Sequence, residues 1–125
     1  MEESIVLTKT DFEFLEALDD GATIYSWRIA QYVEDKIAMG VAKGRFTVEE
    51  ARADLPSALL LGHALLNMND YAAYARAFTV LKGAEAAAKT SGVWHYRMAC
   101  AALYCEGRSI SHEATPNAAA FRPDA

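Results

Sequence analysis

The run Ala58-Leu59-Leu60-Leu61-Gly62-His63-Ala64-Leu65-Leu66-Asn67-Met68-Asn69-Asp70-Tyr71 constrains this chain more than any other stretch. An apolar helical segment meets a short polar break at 67–70, and a second segment opens on the aromatic Tyr71. From there Tyr71, Tyr74, Phe78, Leu81, Glu85 and Ala88 recur at steps of three and four, the period of a helix face. Two helices joined by so tight a connection lie antiparallel as an αα-hairpin. The rest of the chain has to fold around that unit.

The flanking segments also read as helices. Residues 1–7 are a lead-in, in which Ile5-Val6-Leu7 has strand composition but nothing evident to pair with. Thr10-Asp11-Phe12-Glu13 has capping-box spacing and predicts a helix over 11–18, with Phe12, Leu15 and Leu18 on its apolar face and Asp19-Asp20-Gly21 ending it. A longer amphipathic helix is predicted over 22–42. Trp27, Ala30, Val33, Ile37 and Val41 form its stripe, flanked by Ile29 and Tyr32, with Glu34, Asp35 and Lys36 mainly off it. Lys43-Gly44-Arg45 is the connection, and Thr47-Val48-Glu49-Glu50 is a clear second capping box. Val48, Ala51, Leu55, Leu59, Gly62 and Leu66 then keep step across Pro56. Proline inside a helix removes a hydrogen bond and kinks or breaks it. Two arrangements satisfy this: one kinked helix over 48–68, or a short helix followed by a new one with Pro56 in its first position. The unbroken apolar phase favours the kinked helix.

The second hairpin helix is predicted to reach about residue 89 despite Gly83, and Thr90-Ser91-Gly92 breaks the pattern. The last helix is predicted over 93–105, with Tyr96, Cys100 and Leu103 on one face, Trp94, Met98, Ala101 and Cys105 on the next, and Gly107 as terminator. Pro116, Pro123 and scattered Ser and Thr mark 109–125 as a disordered or loosely attached tail. The reading is an all-α chain of antiparallel hairpins, about five helices forming one helical domain over 1–108, with the hairpin at 47–89. Leu59, Leu66, Phe78, Leu81 and Leu103 are its expected core.

Composition narrows the function. A net charge of −5 gives no basic footprint for nucleic acid and little attraction to an anionic membrane surface. Met1-Glu2-Glu3-Ser4 lacks the basic start of a signal peptide, and no apolar stretch reaches membrane-spanning length. Cys100 and Cys105 do not make a disulfide framework, so a cytoplasmic location with reduced thiols is expected.

Leu61-Gly62, Leu65, Tyr71, Phe78 and Leu81 resemble the small and large positions of a tetratricopeptide repeat. Trp94-His95-Tyr96-Arg97-Met98-Ala99 suggests the first helix of a following repeat, with Ala99 as its small residue. Phe46-Thr47-Val48-Glu49-Glu50-Ala51, Asn69-Asp70-Tyr71, Gly92-Val93-Trp94-His95-Tyr96-Arg97 and Leu103-Tyr104-Cys105-Glu106-Gly107-Arg108 resemble bacterial tetratricopeptide-repeat proteins of unassigned biochemistry. The resemblance covers about half the chain, 46–108. Tyr74 stands where the family has a small residue, no proline closes the repeat, and Ser109 onward departs from the expected partner helix. The resemblance implies an α-solenoid fragment that binds an extended peptide or partner protein on a groove lined by first helices. The positions implied to face it are Leu59, His63 and Asn67, then Tyr96, Cys100 and Tyr104.

Catalytic readings are weaker. His95 and Cys100 are five apart, as are Cys100 and Cys105, which puts neither pair on one helical face as metal ligands. No local motif joins a nucleophile, a histidine and an acid, and Gly40, Gly44 and Gly62 are spaced wrongly for a phosphate loop. Glu34-Asp35 and Glu49-Glu50 fit helix capping and solvation. No metal or cofactor is expected. The leading expectation is a non-catalytic interaction module; the alternatives are a small all-α enzyme or ligand-binding bundle using His63, and a purely structural self-associating unit. A homodimer is expected through the terminal helix, with Trp94, Met98 and Leu103 at the contact. The rival is a monomeric bundle in which Trp27 and Ile37 cover that surface.

Overall fold

A computed structural model describes residues 3–18 and 23–112. Among them are six α-helices and one 3-10 turn, and no strand: α1 Lys9–Leu18, α2 Thr23–Ala42, α3 Val48–Arg52, α4 Leu55–Leu66, α5 Tyr71–Gly83, the turn Glu85–Ala87, and α6 Gly92–His112. The all-α expectation holds. Ile5-Val6-Leu7 is not a strand; the chain bends at Ile5 and Val6, the Val6 and Leu7 amides donate to Ser4 Oγ at 3.1 and 2.9 Å, and the Val6 and Leu7 side chains are buried in the core.

α4 is the central helix and packs against α2, α5 and α6. Leu55, Ala58, Leu61, Ala64 and Leu65 are all buried, so it is covered on more than one side. α5 comes especially close, because Gly62 has no side chain: a Cβ there would lie 2.8 Å from Cγ and Cδ2 of Leu81. The tight connection between the two turns on Asn69, which adopts φ 54°, a conformation asparagine tolerates better than most residues. Asp70 then caps α5 by accepting from the Ala73 amide at 3.1 Å.

Several boundaries differ from the sequence expectation. The kinked helix over 48–68 is two helices. α3 ends at Arg52, and Asp54 caps α4 by accepting from the Ser57 amide at 3.2 Å, with Pro56 in the first turn. The box at Thr47 and Glu50 is present as expected. The first capping box is displaced: Thr8 and Asp11 form it, by Thr8 N to Asp11 Oδ2 at 2.8 Å and Asp11 N to Thr8 Oγ1 at 3.1 Å. α5 stops at Gly83 rather than near 89. α6 runs to His112, so 109–112, expected in the tail, are helical; 113–125 lie outside the described residues, as do 19–22.

Burial also corrects the expected faces. In α2 the inward stripe is Ser26, Ile29, Ala30 and Val33, which turns Trp27 outward to 61% exposure. Val48 is exposed as well. Leu81 is fully buried; Leu59, Leu66 and Phe78 are half-buried against the core. Leu103, expected in the core, is 38% exposed, because Ala101 and Ala102 take the inward positions of that turn.

Two buried carboxylates fasten the amino-terminal half. Asp54 accepts from Ser4 Oγ at 2.6 Å and from the Ile5 amide at 2.9 Å while it caps α4. Asp11 accepts from Tyr32 Oη at 2.6 Å and lies 3.4 Å from Lys36 Nζ, which fixes α1 on α2. Burial pushes the Asp11 carboxyl up; the Thr8 amide, the Tyr32 hydroxyl, the Thr8 side chain and the Lys36 charge together outweigh it and hold it below the usual value.

Candidate functional site

α4 and α6 run beside each other without closing on each other completely. A cleft of about 490 Å³ separates them, and its lining includes His63, Asn67, Tyr96, Cys100 and Tyr104. Five of the six positions expected to face a partner groove, His63, Asn67, Tyr96, Cys100 and Tyr104, therefore share one hollow. The sixth, Leu59, does not line it. Its carbonyl accepts from Arg97 Nη1 at 2.8 Å, and this bond ties α6 to α4.

Local helix geometry explains the grouping. On α4, His63 and Asn67 are four apart, and Asn67 Nδ2 lies 3.3 Å from His63 Nε2. On α6, Tyr96, Cys100 and Tyr104 succeed one another at steps of four along one face. A hydrogen bond to the Cys100 thiol, then the charges of Cys100 and Tyr104, then burial, push the Tyr96 phenol up. Tyr104 also stacks obliquely on Tyr74 of α5, with ring centroids 4.9 Å apart, and Tyr74 meets Tyr71 edge to face at 5.8 Å. Burial pushes the Tyr74 phenol up, helped by the charges of Tyr104, Tyr71 and Asp70.

The tyrosines of α6 are not core residues. Tyr96 is 72% exposed and Tyr104 is exposed too, so the cleft lies open to solvent along α6. Arg97 lines the same hollow and was not singled out from the sequence. Its position four after Val93 and three before Cys100 was the available signal. Leu66 lines the cleft as well, having been assigned to the core.

The expected dimer residues separate. Trp94 is 4% exposed, and its indole N–H donates to the Leu81 carbonyl at 2.7 Å inside the chain. It is therefore not a surface contact, which corrects that expectation. Met98 is half-buried against the core, and Leu103 faces outward.

Among the described residues, no group of three or more His, Cys, Asp or Glu is placed to hold a metal ion, and no helix is long and apolar enough to cross a membrane. Cys100 and Cys105 are not joined in a disulfide, and both are half-buried. No family model, curated protein or solved structure matches this chain. Fold and site together define an all-α protein with an open, tyrosine-lined cleft between two helices.

Proposed function

We propose that this chain is a non-catalytic helical interaction module that takes an extended peptide of a partner protein in the α4–α6 cleft. The observation that carries the reading is the side-chain set of the cleft. Tyr96 and Tyr104 stand exposed on one wall, opposite His63 and Asn67. Rigid aromatics with polar tips give large contact area at low entropic cost, and tyrosine is enriched among residues that dominate binding. Asn and His supply side-chain hydrogen bonds that suit a peptide backbone. The enzyme reading called for a deep polar pocket around His63, and the hollow here is open instead. The tetratricopeptide-like character of the hairpin remains part of the proposal: α4 and α5 act as its two helices and α6 as the first helix of the next unit.

A selection of displayed random peptides tests the reading. The expected result is peptides that bind the full chain and lose about thirtyfold or more on Tyr96→Ala/Tyr104→Ala, the size of a lost hot spot. The variant's helical circular dichroism should be unchanged, since both side chains are exposed. Peptides that bind the variant equally well, or no enriched peptide at all, would refute the cleft as a peptide site. A homodimer through the outward face of α6 is the second reading, favoured by the exposure of Val93, Leu103 and Tyr104. Sedimentation equilibrium separates the two: a dimer dispersed by Leu103→Glu supports it.

A further inference from the structure

A larger hollow, about 750 Å³, lies on another part of the molecule, where α2, α3, α4 and α5 meet. Sites for small ligands occupy about 300–1,000 Å³. α2 and α5 both pack on α4, and the trough between them has Ala58 and Leu61 of α4 in its lining. Ile37 of α2, Val48 and Ala51 of α3, and Phe78 and Val80 of α5 add to its apolar surface. One polar lining group, the Ser57 hydroxyl, is engaged by the Asp54 carbonyl at 3.2 Å.

The charges at this trough are unevenly placed. Glu34 lines it and is ion-paired with Arg76, which joins α2 to α5. Arg52, the last residue of α3, and Lys82, in the last turn of α5, line it as well. Their helix ends touch: a Cβ on Gly83 would lie 3.2 Å from the Arg52 carbonyl oxygen. Lys82 does have an acidic neighbour, Glu85 at 3.1 Å, but both side chains are more than half exposed, and such pairs hold charge weakly. In a chain of net charge −5, this makes a cationic end to an apolar trough. A peptide would bring amide groups that an apolar wall leaves unsatisfied. A hydrocarbon chain brings none.

We propose that this trough binds a single-chain anionic amphiphile, its acyl chain along α4 and its head group at Arg52 and Lys82. Both cations also stand in the last turn of a helix, a place that favours positive charge without any ligand. The test therefore reads ligand affinity rather than stability.

The experiment is calorimetric titration of the full chain with straight-chain carboxylates of increasing length, each below its micelle concentration. The expected result is one saturable site, with affinity rising about fourfold per added methylene until the trough is filled and then levelling. Decanol should bind at least tenfold more weakly than decanoate. Arg52→Glu should weaken decanoate tenfold or more and leave decanol unchanged; Lys82→Glu should do the same, which keeps the test alive if one variant misfolds. Val48→Trp, at an exposed wall position, should move the plateau to shorter chains. No saturable binding at any length, or equal affinity for decanol and decanoate, overturns the proposal. Binding to anionic phospholipid vesicles with none to free carboxylate overturns it in favour of a membrane surface. A ligand-free dimer that Arg52→Glu disperses overturns it in favour of a second copy.

Discussion

The contact between Gly62 and Leu81 permits a quantitative test of the hairpin. Leu81 is fully buried, and its Cγ and Cδ2 occupy the space beside Gly62, each 2.8 Å from where a Cβ would be. Leu81→Ala should cost about 3–5 kcal/mol, the range for a fully buried leucine that leaves a cavity. For a chain of this length that lowers Tm by roughly 12 °C or more. Gly62→Ala alone has two opposing parts. Helix propensity favours alanine by about 1 kcal/mol, while forcing a methyl group into a filled core costs about 1–3 kcal/mol. The sum runs from about neutral to about 2 kcal/mol destabilising. In the Leu81→Ala background the obstructing atoms are gone, so the same Gly62→Ala change should stabilise by about 1 kcal/mol. Chemical denaturation of the wild type, both single variants and the double variant gives the coupling, expected at about 1–3 kcal/mol. Additivity within about 0.5 kcal/mol would mean that residues 62 and 81 do not touch, and the packing of α4 on α5 described here would be wrong.

Two further predictions concern the buried carboxylates. Asp54→Ala removes a helix cap, worth about 0.5–2 kcal/mol, together with the bonds from Ser4 and Ile5, for a total near 2–4 kcal/mol. Hydrogen exchange should show the Val6 and Leu7 amides losing protection before α4 does. For Asp11 the folded carboxyl titrates below its ordinary value of 3.8, so the stability it contributes is present above that value and is lost as the pH falls through the folded one. Asp11→Asn should flatten the stability curve between about pH 5 and pH 2. A hydrogen bond to Asp11, burial and the Asp11 charge push the Tyr32 phenol up, so the same variant should lower its ultraviolet titration midpoint toward 10.0. An unchanged acid limb and an unchanged phenol midpoint would refute the Asp11–Tyr32 link.

The break before α4 shows what the sequence concealed. Val48, Ala51, Leu55 and Leu59 recur in the sequence at steps of three and four whether or not Ala53 and Asp54 between them are helical, yet in the structure Val48 is exposed while Ala51 and Leu55 are buried. The apolar stripe therefore argued for continuity where the chain is not helical. The local signal was Asp54 three residues before Ser57, with proline in between, a cap pattern outweighed by the stripe. The other partners of Asp54, Ser4 and Ile5, stand 50 and 49 residues away, and no window along the chain would reveal them. The cleft was more legible. The tetratricopeptide-repeat resemblance implied His63, Asn67, Tyr96, Cys100 and Tyr104 for the groove, and all five line the cleft, whereas Leu59, implied with them, does not.

The two tryptophans were placed wrongly for one shared reason: helical phase says which residues lie together, but not which of two adjacent faces turns inward. On α6 the choice follows from the end of α5. Because that helix stops at Gly83, the Leu81 carbonyl is among the last four, which lack a regular intrahelical partner. The Ala84 amide takes up one side of it at 3.1 Å, and the Trp94 indole N–H takes up the other at 2.7 Å. A buried indole needs an acceptor, and this one lies beside the fully buried Leu81 side chain. Trp94 therefore points into the core. Tyr96, two residues on and about 200° around the helix, must then point away from it. The early end of α5, the burial of Trp94 and the exposure of the cleft tyrosine are one structural decision, and it leaves an aromatic ring exposed to solvent at the cleft.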